Sequence, residues 1–158
     1  MNNDIREDYC SFEVSKLLKE KGFKQQTLCF HFEDREFREN NFRDITGMDY
    51  GNEFTVEYEE LLENWNDNFL TEKNGNRCFG CSKSKGYFET YSAPTHALAI
   101  KWIRENFGIH TSVDFDSKNW FGIITILPDK DRQVYGSYAS AEQATEASLL
   151  YTLQKLIK

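Results

Sequence analysis

A chain of 158 residues with 39% hydrophobic and 15% aromatic side chains is long enough for one domain with a sizeable core, and it is too rich in aromatics to be a disordered segment. It contains no run of about 18 apolar residues, which excludes a membrane-spanning helix. The formal charge of −7 is concentrated in the first half, where residues 1–70 hold 17 acids and 8 bases, and this argues against general nucleic-acid binding, which needs Lys and Arg to neutralise phosphates.

The opening, MNNDIREDYC, is polar and acidic and unlike a secretory signal. A cytoplasmic location is therefore expected, with the four cysteines as reduced thiols rather than a disulfide framework. Ser11 to Lys21 reads as a helix that Ser11 caps and Gly22 stops, with Cys10, Val14, Leu17 and Leu18 on one face. Gln26 to Phe32 reads as a strand. Leu28, Phe30 and Phe32 point to one side, and Cys29 and His31 to the other.

Glu33 to Glu53 is acidic and weakly patterned, and reads as an elaborated loop with room for one short edge strand. Thr55 caps a predicted helix from Val56 to Trp65. Its first-turn acids Glu57, Glu59 and Glu60 suit the helix dipole and offer a surface for a basic partner. Asn66 to Tyr87 reads as a second loop, locally basic, holding Cys78 and Cys81.

From Tyr91 to Val113, cap, helix, stop and strand signals follow in order. Ser92 can cap, Pro94 suits a first turn, and Leu98, Ala99, Trp102, Ile103 and Phe107 recur at helical spacing up to the stop at Gly108. Alternation from Ile109 to Asp116 predicts a strand, and Trp120 to Leu127 a second one, apolar on both faces. Gln133 to Tyr138 adds a short strand. Ser140 and Gln143 form a capping box for a last helix running to Ile157, in which Ala144 and Ala147 allow close approach to a neighbour.

The fold expected is a single α+β domain over residues 1–158. It has a small antiparallel sheet, three main helices packed chiefly on one face, and a loop-rich insertion at 33–87 that carries a fourth, short helix.

Three segments resemble uncharacterised small proteins encoded by phages and prophages of Bacteroides and related gut bacteria: CSFEVSKLLKEKGF at Cys10–Phe23, YSAPTHALAIKWIRENFGIH at Tyr91–His110, and SYASAEQATEASLLYTLQKLI at Ser137–Ile157. The resemblance implies a viral or mobile-element origin and action in the bacterial host cytoplasm. It implies no activity and brings no catalytic residue. Asp34–Gly86 lies outside it.

The sharpest local chemistry is Cys78-Phe79-Gly80-Cys81, where two thiols on one turn supply half of a tetrahedral zinc site. Cys29 and His31, two apart on a strand, are the candidates for the other half. A redox pair would need a strand-to-helix setting that is missing here. His110-Thr111-Ser112 has the H-x-[ST] form of two-histidine phosphoesterases, but that chemistry needs two such elements, and neither His31 nor His96 supplies the second. His96, in the first turn of its helix, is expected to be structural. Glu142 and Glu146 share a helix face and are assigned to the cap and dipole. No motif in the sequence points to a catalytic residue.

The expected function is that of an accessory protein, non-enzymatic, binding a host or viral protein or itself, with no cofactor unless zinc is held. The alternative is an enzyme or small-ligand binder whose pocket lies between the 33–53 and 66–87 loops. A weaker alternative is a zinc-stabilised nucleic-acid module using Lys73, Arg77, Lys83 and Lys85.

Overall fold

The computed structural model describes residues 8–34, 40–44, 69–73, 76–78, 88–128 and 131–158. In chain order the elements are α1 (Phe12–Glu20), β1 (Cys29–Asp34), β2 (Asn40–Asp44), β3 (Phe69–Lys73), β4 (Asn76–Cys78), β5 (Phe88–Ala93), α2 (His96–Phe107), β6 (Ile109–Phe115), β7 (Trp120–Ile126), β8 (Asp131–Tyr138) and α3 (Ala141–Tyr151). A π-helical turn, Thr152–Leu156, prolongs α3. The protein is α+β as expected, and each described strand pairing is antiparallel.

The strands divide between two sheets, ordered β2-β1-β5-β3-β4 and β6-β7-β8. The sequence places 26–32 in one sheet with 109–116 and 120–127. Instead β1 takes β2 and β5 as neighbours, with Cys29 opposite Ala93 and His31 opposite Tyr91. The short edge strand expected within 33–53 is β2. The 66–87 segment, expected to be a loop, contains the β3–β4 pair. The predicted helix 56–65 lies outside the described residues.

Ser92 is not a cap. It is buried in β5, and the chain turns into α2 only after Pro94. Thr95 has the extended backbone of an N-cap, and its hydroxyl accepts the Leu98 N–H at 3.3 Å. Ser11, Gly108 and Ser140 act as predicted, while the Thr55 cap lies outside the described residues. Ser11 accepts from Val14 N–H, and Ser140 from Gln143 N–H. Gly108 closes α2 in the left-handed region, at φ 67°. Its carbonyl accepts the Leu127 N–H at 2.7 Å, which ties the end of the helix to the end of β7.

One apolar core joins α1, α2, α3 and the second sheet. Val14, Leu18, Ala99, Ile103, Ile124, Leu149 and Leu153 are fully buried in it. Helix α3 contacts all three strands of the second sheet, while α1 contacts β5. There Phe12 meets His31 and Tyr91 edge-on, at centroid distances of 5.8 and 5.2 Å. Among the described residues of the first sheet, polar His31 and Ser92 are buried along with Cys29, Phe30, Tyr91 and Ala93. No helix among the described residues is long and apolar enough to cross a membrane.

Candidate functional site

The site grows from a short antiparallel bridge. Tyr9 pairs with Thr95, the Cys10 N–H donates to the Pro94 carbonyl at 2.9 Å, and the His96 N–H donates to the Asp8 carbonyl at 2.9 Å. This bridge sets the starts of α1 and α2 side by side. It also holds Cys10 just before one helix and His96 at the first position of the other.

Helix α3 then brings Glu146 to both starts. Its Oε1 accepts the Ser11 N–H at 3.0 Å, and its Oε2 accepts from His96 Nε2 at 2.7 Å. A carboxylate between two helix N-termini is where the backbone dipoles favour an anion. Burial works to raise the Glu146 carboxyl, but the bonds from His96 and from the Ser11 side chain and N–H outweigh it and hold the carboxyl below its ordinary value.

Cys10 is only 1% exposed. Burial pushes its thiol well above the usual value, and the nearby Glu146 charge adds to this. On the other side of its peptide, the Cys10 carbonyl accepts from His31 Nε2 at 2.9 Å. Burial lowers the His31 imidazole, which the Cys10 bond and the Glu146 charge only partly resist. The Cys10 thiol, a His96 ring nitrogen and a Glu146 carboxylate oxygen lie within 4.8 Å of one another.

His96 and Glu146 also line a groove of ≈ 630 Å³, a size ordinary for a ligand site. Tyr9, Tyr138 and Leu150 give it half-buried apolar surface, and Asp8, Glu13 and Glu142 are exposed carboxylates along it. A hydrogen bond from the Ser140 side chain, with help from its own backbone, holds Glu142 below the ordinary carboxylate value. No lysine or arginine is among the described lining residues. A smaller cavity of ≈ 160 Å³ shares Tyr9 with this groove.

The metal, partner and nucleic-acid candidates read from the sequence are not among the described residues that line the groove. Cys29 and His31 share a strand, and both are buried. Cys78 ends β4, three strand places from β1 in the sheet. Cys81, Lys83, Lys85, Glu57, Glu59 and Glu60 lie outside the described residues. Lys73 and Arg77 sit on β3 and β4, opposite Asn76 and Glu72. His110 is on β6, opposite Thr125.

Three members of the observed site were visible singly in the sequence: Cys10 on the α1 face, His96 in a first turn, and Glu146 paired with Glu142. No local spacing joins them, because the bridge between residues 8–10 and 94–96 and the docking of α3 are tertiary events. No protein-family model, curated protein or solved structure matches the chain.

Proposed function

We propose that this protein is a non-enzymatic binding protein whose groove takes a Lys- or Arg-bearing segment of another protein. The observation that carries this reading is the lining. Half-buried Tyr9, Tyr138 and Leu150 offer surface for the methylene stem of a long cationic side chain. Exposed Asp8, Glu13 and Glu142 offer the countercharge, and no described lysine or arginine competes for it. Tyr9 and Tyr138 add faces on which a cation is attracted. The burial of Cys10 favours binding over nucleophilic catalysis, since its thiol is held protonated and out of reach of a substrate. The expected phage or mobile-element setting makes the partner a host or viral protein.

The test compares a Lys/Arg-rich peptide with an Asp/Glu-rich peptide of equal length, by fluorescence anisotropy with a chelator present. The basic peptide should bind, the acidic one should not, and binding should weaken as salt rises. Glu13→Gln with Glu142→Gln should weaken binding several-fold. Glu105→Gln, on the exposed side of α2, should not. Equal loss in both variants would reduce the effect to the net charge of the molecule and end this reading.

A further inference from the structure

Cys10, His96 and Glu146 come from three separate elements. Backbone bonds hold Cys10 and His96 in place, Glu146 is held by a second carboxylate bond, and the His96–Glu146 bond joins two side chains that can both ligate. The Tyr9–Thr95 bridge sets the backbones of Cys10 and His96. The Ser11 N–H holds Glu146 Oε1 at 3.0 Å and leaves Oε2 directed to His96. His31 holds the Cys10 carbonyl from the side of the first sheet. Orienting partners of this kind are what a metal site requires around its ligands.

We propose that Cys10, His96 and Glu146 form a binding site for one zinc-class divalent cation, with its fourth position facing the groove that His96 and Glu146 line. One thiolate, one imidazole and one carboxylate make a three-ligand set that suits zinc and suits magnesium or calcium poorly, because those ions prefer all-oxygen shells. The three donor atoms already lie within 4.8 Å of one another, so a cation with bonds of about 2.0–2.3 Å draws them inward by side-chain adjustment alone. Coordination replaces the His96–Glu146 hydrogen bond with two metal bonds. It sends the thiol proton to solvent, and the proton that His96 Nε2 donated to Glu146 moves to Nδ1 by exchange with solvent, so a neutral imidazole releases one proton net per cation bound. The Ser11 N–H stays on Oε1. The proposed ligands do not include Cys78 or Cys81, and the site does not depend on what occupies the groove.

The experiment titrates the reduced, metal-free full chain with Co²⁺ and then Zn²⁺. It follows the thiolate-to-cobalt charge-transfer band and counts bound metal by elemental analysis. The proposal expects one cobalt per chain, displaced by one zinc, and an unchanged result in the Cys78→Ser/Cys81→Ser double variant. Cys10→Ser should abolish the thiolate band, and Glu146→Gln should weaken uptake by at least about tenfold. If Cys10→Ser loses its helical circular dichroism, His96→Ala serves in its place, and it should lose uptake while staying folded. A band that survives Cys10→Ser, uptake that disappears only with Cys78 and Cys81, undiminished uptake in His96→Ala, or no uptake by the wild type would each overturn the proposal. Peptide binding in chelator is measured separately, so the groove reading and the metal site can fail independently.

Discussion

Toward β7, α3 presents Ala144 and Ser148; toward the groove, the same helix presents Glu142, Glu146 and Leu150. Both sets recur every fourth residue, so each forms a stripe along its own face. The first stripe is small because the backbone beneath it is close. A Cβ at Gly122 would overlap the Ser148 hydroxyl and stand 3.0 Å from Ser148 Cβ and 3.3 Å from the Ala144 carbonyl oxygen. Ser148 satisfies its own hydroxyl by donating to that carbonyl at 2.7 Å, so no polar atom of it is left facing the sheet without a partner. The second stripe carries two carboxylates, of which Glu146 bonds to the starts of two other helices. One face fixes the distance between helix and sheet, and the other gathers groups that respond to ions and protons. Changes on the two faces should therefore be separable.

The largest effect belongs to the packed side. Leu149, fully buried in the common core, should cost about 2–5 kcal/mol as Leu149→Ala, because the cavity left behind is enclosed by three helices and a sheet. The urea midpoint should fall while the groove still binds a basic peptide at its wild-type affinity. A parallel loss of affinity at temperatures where the variant is folded would show that the two faces are coupled.

Gly122→Ala should cost about 1–3 kcal/mol, by forcing α3 away from β7. Placed over Ser148→Gly, the same change should cost much less, even though the glycine itself weakens the helix by about 1 kcal/mol. The double-mutant cycle measures this relief directly. Additive losses would locate the strain somewhere other than the Gly122–Ser148 contact.

The packed face was partly legible in the sequence, and the groove face was not. Ser11, Gly108 and Ser140 were readable because a cap or stop depends on a few neighbouring residues. Of the two alanines expected to allow close approach, Ala144 lies under Gly122 of β7, whereas Ala147 lines the groove. Thr95 was missed as a cap in favour of Ser92, because recognising Ser92 as strand requires knowing that β5 pairs with β1, and that contact is far apart in sequence. The same limit hid the division into two sheets. β6, β7 and β8 follow one another and pair as they come, whereas β1 finds β5 across the whole insertion. The Cys78 and Cys81 spacing is legible because it is local. The Cys10, His96 and Glu146 cluster leaves no spacing to read, since its members meet only after α1, α2 and α3 have docked.

On the groove face, Glu146→Gln should cost about 1–2 kcal/mol, because it weakens charge-assisted bonds at a site that is still 26% exposed. Its pH signature is more specific. The folded Glu146 carboxyl sits below its ordinary value, so its contribution is complete above the unfolded-state value of about 4.3 and is lost as pH falls through the lowered folded value. His31 is also lowered, by burial. The unfolded chain takes up that proton from about pH 6.5 downward while the folded chain resists, so stability falls there first. Urea midpoints between about pH 7 and pH 3 should therefore show two declining limbs in the wild type. In Glu146→Gln the lower limb should shrink, while the upper one should persist and reach further down in pH, because the Glu146 charge no longer helps to hold the His31 imidazole up. A lower limb of full size in the variant would assign it to other carboxylates.

The smallest effect tests whether the groove's outer carboxylate is set by its own helix start. The Ser140 side chain accepts the Gln143 N–H at 3.2 Å, and it is also the largest influence holding Glu142 below the ordinary carboxylate value. Ser140→Ala removes both effects. Loss of the cap should cost about 1 kcal/mol, well under the cost of Leu149→Ala. The Glu142 carboxyl, fully exposed and with its main anchor gone, should titrate at a higher pH, as followed by its side-chain carbon shift in NMR. Glu142 keeps its charge at neutral pH in the variant, so peptide affinity should change far less than in Glu142→Gln. If Ser140→Ala matched Glu142→Gln in lost affinity, the helix start itself would be part of the binding surface.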